Sequence, residues 1–204
     1  YILGNHDRMN LIGDDRYLAE KYKNSFDKFN LQVEDLFTEN TELGRWIRTK
    51  NIVERIGDIL FVHGGLSEEL VDKEFDIKKI NQLGKKYIDK VLEKEDKDYD
   101  EYRLIVGTYG PLWYRGLVED YKSYNKISPD ALERILNAYK SSHIVVGHTI
   151  VDKLSADFDG KVIRIDCLQP TSPEDGENQA LLIEKNAFYR VTNTGIKEKL
   201  TDLA

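Results

Sequence analysis

A single cysteine, Cys167, stands among the 204 residues. No disulfide can therefore close within the chain, and a zinc site built on cysteine thiolates is excluded. A lone cysteine fits a reducing compartment without requiring one. No apolar run approaches the roughly 18 residues that a membrane span needs. Nor is there an excess of basic residues: 30 Lys and Arg against 37 Asp and Glu leave a formal net charge of −7. Without a basic field the chain is not built to coat nucleic acid. A phosphorylated ligand stays open to it, because a metal centre supplies positive charge locally. Internal repeats, low-complexity segments and an interdomain linker are all missing. The chain also lacks an initiator methionine. Tyr1-Ile2-Leu3 reads as the end of a buried strand, so the expectation is a fragment of a longer protein. A leader would then be out of sight, which leaves the compartment open between cytoplasm and periplasm.

What is present suits an ordinary globular domain. The apolar share is 40% and the charged share 33%, enough for a sizeable core under a well-solvated surface. The length fits one domain over residues 1–204. Short apolar runs alternate with longer amphipathic stretches, which points to the α/β class. Surface helices are expected over Asp14 to Phe26 and over Ile77 to Lys94. Ser128-Pro129-Asp130 is a helix start, with Ser as cap and Pro in the first turn, for a helix running to about Tyr139. Val162 to Cys167, Ala180 to Glu184 and Phe188 to Thr192 read as strands, with Asp159-Gly160 and Lys185-Asn186 as turns. Lys90 to Glu101 is mostly charged and reads as a solvated helix end and loop.

One pattern recurs three times. Tyr1-Ile2-Leu3 leads into Gly4-Asn5-His6-Asp7, Ile59-Leu60-Phe61-Val62 into His63-Gly64-Gly65, and Ile144-Val145-Val146 into Gly147-His148-Thr149. Each is a buried-type strand that ends in glycine plus a residue able to bind a metal. Ligand sites of α/β sheets lie beyond the C-terminal ends of the strands, so segments remote in sequence can converge there. The glycines allow close backbone approach. Imidazole nitrogens and an amide oxygen suit a metal of intermediate softness, such as Mn, Fe or Zn. Such an ion polarises a phosphoryl oxygen and acidifies a bound water. His6, beside the ligand-type Asn5 and followed by Asp7, could hold a proton for a leaving oxygen. Any one of these motifs alone is more often a hydrogen-bonded surface or core residue. His143, which starts its strand instead of ending it, is read as structural.

In these motifs the chain resembles the calcineurin-like metallophosphoesterases, and within them the phosphoprotein-phosphatase branch. The Phe61-Val62-His63-Gly64-Gly65 form carries the branch. Met9-Asn10, the run Thr41-Glu42-Leu43-Gly44-Arg45-Trp46 and the run from Gly110 to Gly116 resemble its bacterial, Shewanella-like subgroup. The resemblance covers Tyr1 to about Cys167 and implies a four-layer α/β/β/α sandwich. It implies Asn5, His63 and His148 as ligands of the second metal of a dinuclear centre, and His6 as general acid with Asp7 as its orienting partner. Arg115 matches an arginine that grips the substrate phosphate. Tyr109, Trp113 and Tyr114 are candidate pocket walls.

The family pattern opens with an Asp-x-His strand end and a Gly-Asp-x-x-Asp segment, and both would lie upstream of Tyr1. The acidic cluster Gly13-Asp14-Asp15-Arg16 follows the Asn-His motif and does not stand in for them. The expectation is thus a sandwich whose first strand-helix-strand portion is missing, with at most one metal held by the neutral trio. For the parent protein the resemblance implies a phosphomonoesterase that attacks a phosphorylated Ser, Thr or Tyr with metal-bound hydroxide. The alternatives are a hydrolase of nucleotides or other small phosphoesters, or an inactive binding module. Oligomeric state is left open.

Overall fold

Five of the six strands expected from the apolar runs form, and the alternation of their side chains separates two cores. The computed structural model describes residues 1–170, 172 and 176–203. A five-stranded sheet has the order β1-β2-β3-β5-β4, with β1 Val53–Ile56, β2 Ile59–Val62, β3 His143–Val146, β4 Ser155–Asp157 and β5 Val162–Arg164. The central strands β2, β3 and β5 are parallel, and the edge strands β1 and β4 run antiparallel to their neighbours. Successive residues of a strand face opposite sides. Leu60, Val62, Ile144, Val146 and Val162 accordingly enter one core, while Ile59, Val145 and Ile163 enter the other.

The first core is closed by helices. α4 (Glu68–Asp72), α5 (Ile77–Tyr87), α6 (Tyr99–Val106) and α7 (Pro129–Ala138) bring Leu70, Ile80, Leu83, Leu104, Leu132 and Ile135 onto it. α7 starts as expected, its Ser128 Oγ accepting the Ala131 N–H at 3.2 Å. The second core is closed by an antiparallel meander, β6 (Gln179–Glu184), β7 (Ala187–Thr192) and β8 (Lys197–Asp202), which lays Leu181, Phe188 and Leu200 against the sheet. The β6–β7 turn at Lys185-Asn186 takes the left-handed backbone at both positions, φ 50° and 57°. The layers are thus helices, mixed sheet and second sheet, the α/β/β succession of the sandwich. His143 is structural: it is buried in β3 with Nδ1 2.7 Å from Ser142 Oγ and its ring against Phe188.

Several bounds differ from expectation for identifiable reasons. The first surface helix, α2, spans Glu20–Phe29 and starts late, after a turn closed by the Leu18 N–H donating to the Asp15 carbonyl at 2.9 Å. The helix expected to reach Lys94 stops at Tyr87; the chain then turns, the Lys90 N–H donating to the Tyr87 carbonyl at 3.1 Å and the Lys90 carbonyl accepting from the buried Arg8 guanidinium at 2.7 Å. Part of the expected loop is helical: α6 begins at Tyr99, and Tyr102 packs edge-on against Tyr87. The strand expected to reach Cys167 ends at Arg164. Tyr1 to Leu3 forms a single parallel bridge, Ile2 with Asn51, and Gly4 then caps α1 (Asn5–Leu11). The charged strand β8 and the helix α3 (Glu42–Arg48) had no expectation attached to them.

Candidate metal centre

The register of β2 and β3 places the two histidine motifs side by side. Val62 pairs with Val146, so His63 and Gly147 follow together, and the Gly147 N–H donates to the His63 carbonyl at 2.8 Å. Gly4 lets α1 come in on top of them. A β-carbon at Gly4 would lie 2.8 Å from Nδ1 and 2.9 Å from Cε1 of His63, inside any tolerable contact. The next residue, Asn5, is buried with Oδ1 2.7 Å from His63 Nε2, and His148 Nδ1 stands 3.2 Å from the same atom. His148 is held at φ 63°, a left-handed conformation that costs a non-glycine residue about 1–2 kcal/mol. A residue kept there by its surroundings is characteristic of a functional position.

Electrostatics leave both rings neutral. Burial, then the charge of Arg115, then His63 and His6, push the His148 imidazole down to about 3. Burial also lowers His63, against the opposing pull of Asp7 and Asp166. One proton at most can sit on His63 Nε2, facing two acceptors. Neutral rings keep ring-nitrogen lone pairs, which together with the Asn5 oxygen make the kind of donor set a divalent cation accepts. Among the described residues no group of three His, Cys, Asp or Glu is placed to hold a metal, and the third donor here is the amide oxygen of Asn5. The residues fit one divalent cation held by Asn5, His63 and His148, all neutral.

This trio lies in a cleft of about 510 Å3 whose walls include Trp113, Arg115 and Asp166. Arg115 donates from Nη1 to the His148 carbonyl at 3.0 Å and to Thr149 Oγ1 at 3.2 Å, which fixes its guanidinium at the rim of the cleft. His6 lies exposed in the cleft, its ring stacked on Tyr17 at 5.2 Å between centroids. Asp7 lines the cleft too, but its carboxylate accepts from Gly4 N–H at 2.7 Å and Tyr1 Oη–H at 2.6 Å, with no hydrogen bond to His6. Of the three aromatic candidates, Trp113 walls the cleft edge-on to His148. Tyr109 and Tyr114 pack with Tyr124 away from it. Asp166 was missed. Its only signal was the apolar start Val162-Ile163 of the strand that leads to it, without the glycine that marks the other three motifs.

The family model for calcineurin-like phosphoesterase matches residues 1–152, a stretch that holds Asn5, His63, Arg115 and His148. The chain belongs to the calcineurin-like phosphoesterase family. This calcineurin-like phosphoesterase is 28% identical over 151 residues to a Shewanella-like protein phosphatase 1 of Plasmodium berghei, matching 72% of the chain and 40% of the relative. An uncharacterised protein of Schizosaccharomyces pombe is 27% identical over 214 residues, 99% of the chain and 60% of that protein. Among solved structures, a cold-active protein tyrosine phosphatase superposes with a TM-score of 0.85 at 31% identity, covering 98% of the chain and 57% of that protein. The cold-active protein tyrosine phosphatase of a psychrophilic Shewanella species gives 0.83 at 31% identity, with coverages of 98% and 58%. The chain thus spans 40% to 60% of the relatives it matches. The mixed α/β fold with its parallel-centred sheet is the metallophosphatase fold.

Proposed function

We propose that the protein to which residues 1–204 belong is a metal-dependent phosphomonoesterase acting on phosphorylated side chains of proteins, and that these residues form one domain of it. The observation that carries this reading is the convergence of Asn5 Oδ1, His63 Nε2 and His148 Nδ1 in a cleft that also holds Arg115 and His6. A divalent cation on the trio, Mn, Fe or Zn, supplies a Lewis acid that polarises a phosphoryl oxygen and acidifies a water. Arg115 has a guanidinium fork suited to two phosphoryl oxygens and is already oriented by the His148–Thr149 backbone and hydroxyl. Water adds to phosphorus as the bond to the ester oxygen breaks, His6 gives its proton to the departing alkoxide, and the products are inorganic phosphate and the free alcohol. Asp7 orients His6 through the turn: its bond to Gly4 N–H closes the start of α1, the turn on which Asn5 and His6 ride. Support for a phosphoprotein substrate comes from the relatives, which are named as protein phosphatases.

A second reading, binding of a phosphorylated ligand without hydrolysis, has one observation in its favour. Three neutral donors hold one cation at most, without charge compensation from a ligand. Elemental analysis of the purified chain, paired with manganese-stimulated hydrolysis of p-nitrophenyl phosphate, separates the two. Bound metal with turnover supports the esterase; metal or phosphate uptake without turnover supports the binding module. Faster turnover of phosphopeptides than of nucleotides supports the protein substrate, and the reverse order replaces it with a small phosphoester.

A further inference from the structure

The trio Asn5, His63 and His148 carries no formal charge, and a cation drawn out of water toward neutral ligands lacks the anion that normally accompanies it. Two carboxylates line the cleft. Both oxygens of Asp7 are taken, one by Gly4 N–H and one by Tyr1 Oη–H. Asp166 differs. Among the described residues its carboxylate accepts no hydrogen bond and joins no ion pair, although the residue is only half-exposed.

The backbone around Asp166 is tied firmly to the centre. β5 runs parallel to β3 with Arg164 opposite Val146, and the Ile165 N–H continues the ladder onto the Val146 carbonyl at 2.9 Å. The Asp166 carbonyl accepts the Val151 N–H at 2.8 Å, so the loop bearing His148 is clipped to the strand end bearing Asp166. Gly147 lies between them: a β-carbon there would sit 4.0 Å from Asp166 Cβ and 4.0 Å from His63 Nδ1. An apolar strand end thus delivers an acid beside the two histidines, with no protein partner to satisfy it.

We infer that Asp166 is a further residue of the metal centre, the anion that balances a cation held by Asn5, His63 and His148. It acts from outside the ligand set, across one of the cation's waters, because no three His, Cys, Asp or Glu among the described residues close to ligating distance. The inference rests on the metal-centre reading of the trio and deepens it. Asp166 is a positioning and charge-balancing residue, since it touches the cation through water.

The test is cobalt(II) binding to the intact purified chain by titration calorimetry, for wild type, Asp166→Asn and His63→Ala, at low and high salt. Removing an outer-shell partner weakens metal binding 10- to 100-fold in general, roughly the loss expected for Asp166→Asn. A through-water charge is screened, so wild-type affinity falls more steeply with salt than that of Asp166→Asn. Asp166→Asn binding within about twofold of wild type, with binding abolished in His63→Ala, overturns the inference and leaves the metal centre standing. If His63→Ala binds like wild type, or wild type takes up no cobalt, the metal-centre reading fails and Asp166 loses its role with it. Thermal melts show whether each variant is folded. Should Asp166→Asn not fold, Asp166→Ser is read by the same criterion.

Discussion

Substituting Gly4 by alanine tests the geometry of the centre directly. The Gly4 backbone is extended, φ −109° and ψ 178°, so alanine meets no strain in its own dihedrals. The whole effect is steric. The new methyl would stand 2.8, 2.9 and 3.1 Å from Nδ1, Cε1 and Cγ of His63, against the 3.4 Å at which ordinary contact begins. The imidazole must therefore move by roughly half an ångström. Its backbone cannot retreat, because the His63 carbonyl holds Gly147 N–H and the next residue's N–H is bonded to the Pro111 carbonyl at 2.8 Å. The ring has to tilt instead, and tilting swings Nε2, the atom that meets Asn5 and His148. Overpacking of this kind costs about 1–3 kcal/mol. For a chain of this size that lowers the melting temperature by roughly 2–12 °C. Displacing one of three ligands weakens cobalt binding by about tenfold or more. Calorimetric titration and a thermal melt of the same preparation read both effects. A Gly4→Ala chain that melts with wild type and binds cobalt within about twofold of it would refute the claim that Gly4 seats His63.

Four other outcomes are expected. Stability of the metal-free chain falls as pH drops from about 6.5, the ordinary histidine value, toward 3. Across that window the unfolded chain binds a proton that folded His148, held down to about 3, refuses, so the unfolded state gains as pH falls. Denaturant melts at pH 7 and pH 5 read the slope; His148→Asn, which tolerates the left-handed backbone, flattens it, and an unchanged slope would count against the burial argument. Arg115→Ala weakens binding of inorganic phosphate to the metal-loaded chain by about 10- to 100-fold, the worth of a hydrogen bond to a charged group. Arg115→Lys restores only part of it, having lost the fork, and equal affinities in all three would remove Arg115 from the site. His6→Asn lowers hydrolysis of an alkyl phosphate by about 100-fold or more, while p-nitrophenyl phosphate, whose leaving group needs no proton, is cleaved nearly as before. Ser128→Ala removes the α7 cap, costs about 1 kcal/mol and leaves cobalt affinity unchanged, because α7 lies behind the sheet.

Much of the molecule was legible before any coordinates. β2 and β3 are short apolar runs rich in β-branched residues that lead into glycine and histidine, a length and flanking that favour a buried strand over a helix. The α7 start was written in Ser128-Pro129, whose cap is a local interaction. His63 and His148 could be singled out as candidate ligands because chemistry restricts which residue types bind such a metal, and the structure brings the two side by side. The β4–β5 turn at Asp159-Gly160 and the β6–β7 turn at Lys185-Asn186 were readable from their turn-forming Asp, Gly and Asn, residue types that accept the left-handed backbone found there.

Other features were settled by contacts between segments far apart in the chain. Nothing local says that the helix after Ile77 ends at Tyr87, or that the Lys90 carbonyl just beyond it receives the Arg8 guanidinium from α1, 82 residues away. Asp7 looked like the partner of its neighbour His6 but is bonded to Gly4 and Tyr1, because the turn of α1 points its carboxylate back at the helix start. Asp166 carried no expectation of its own; the parallel register of β3 and β5 brings it into the cleft that holds His148. Residue type fixes what a side chain can do, and that is encoded one position at a time. Which side chains share a cleft depends on sheet register and loop closure, which belong to pairs of segments and exist only once the chain has folded.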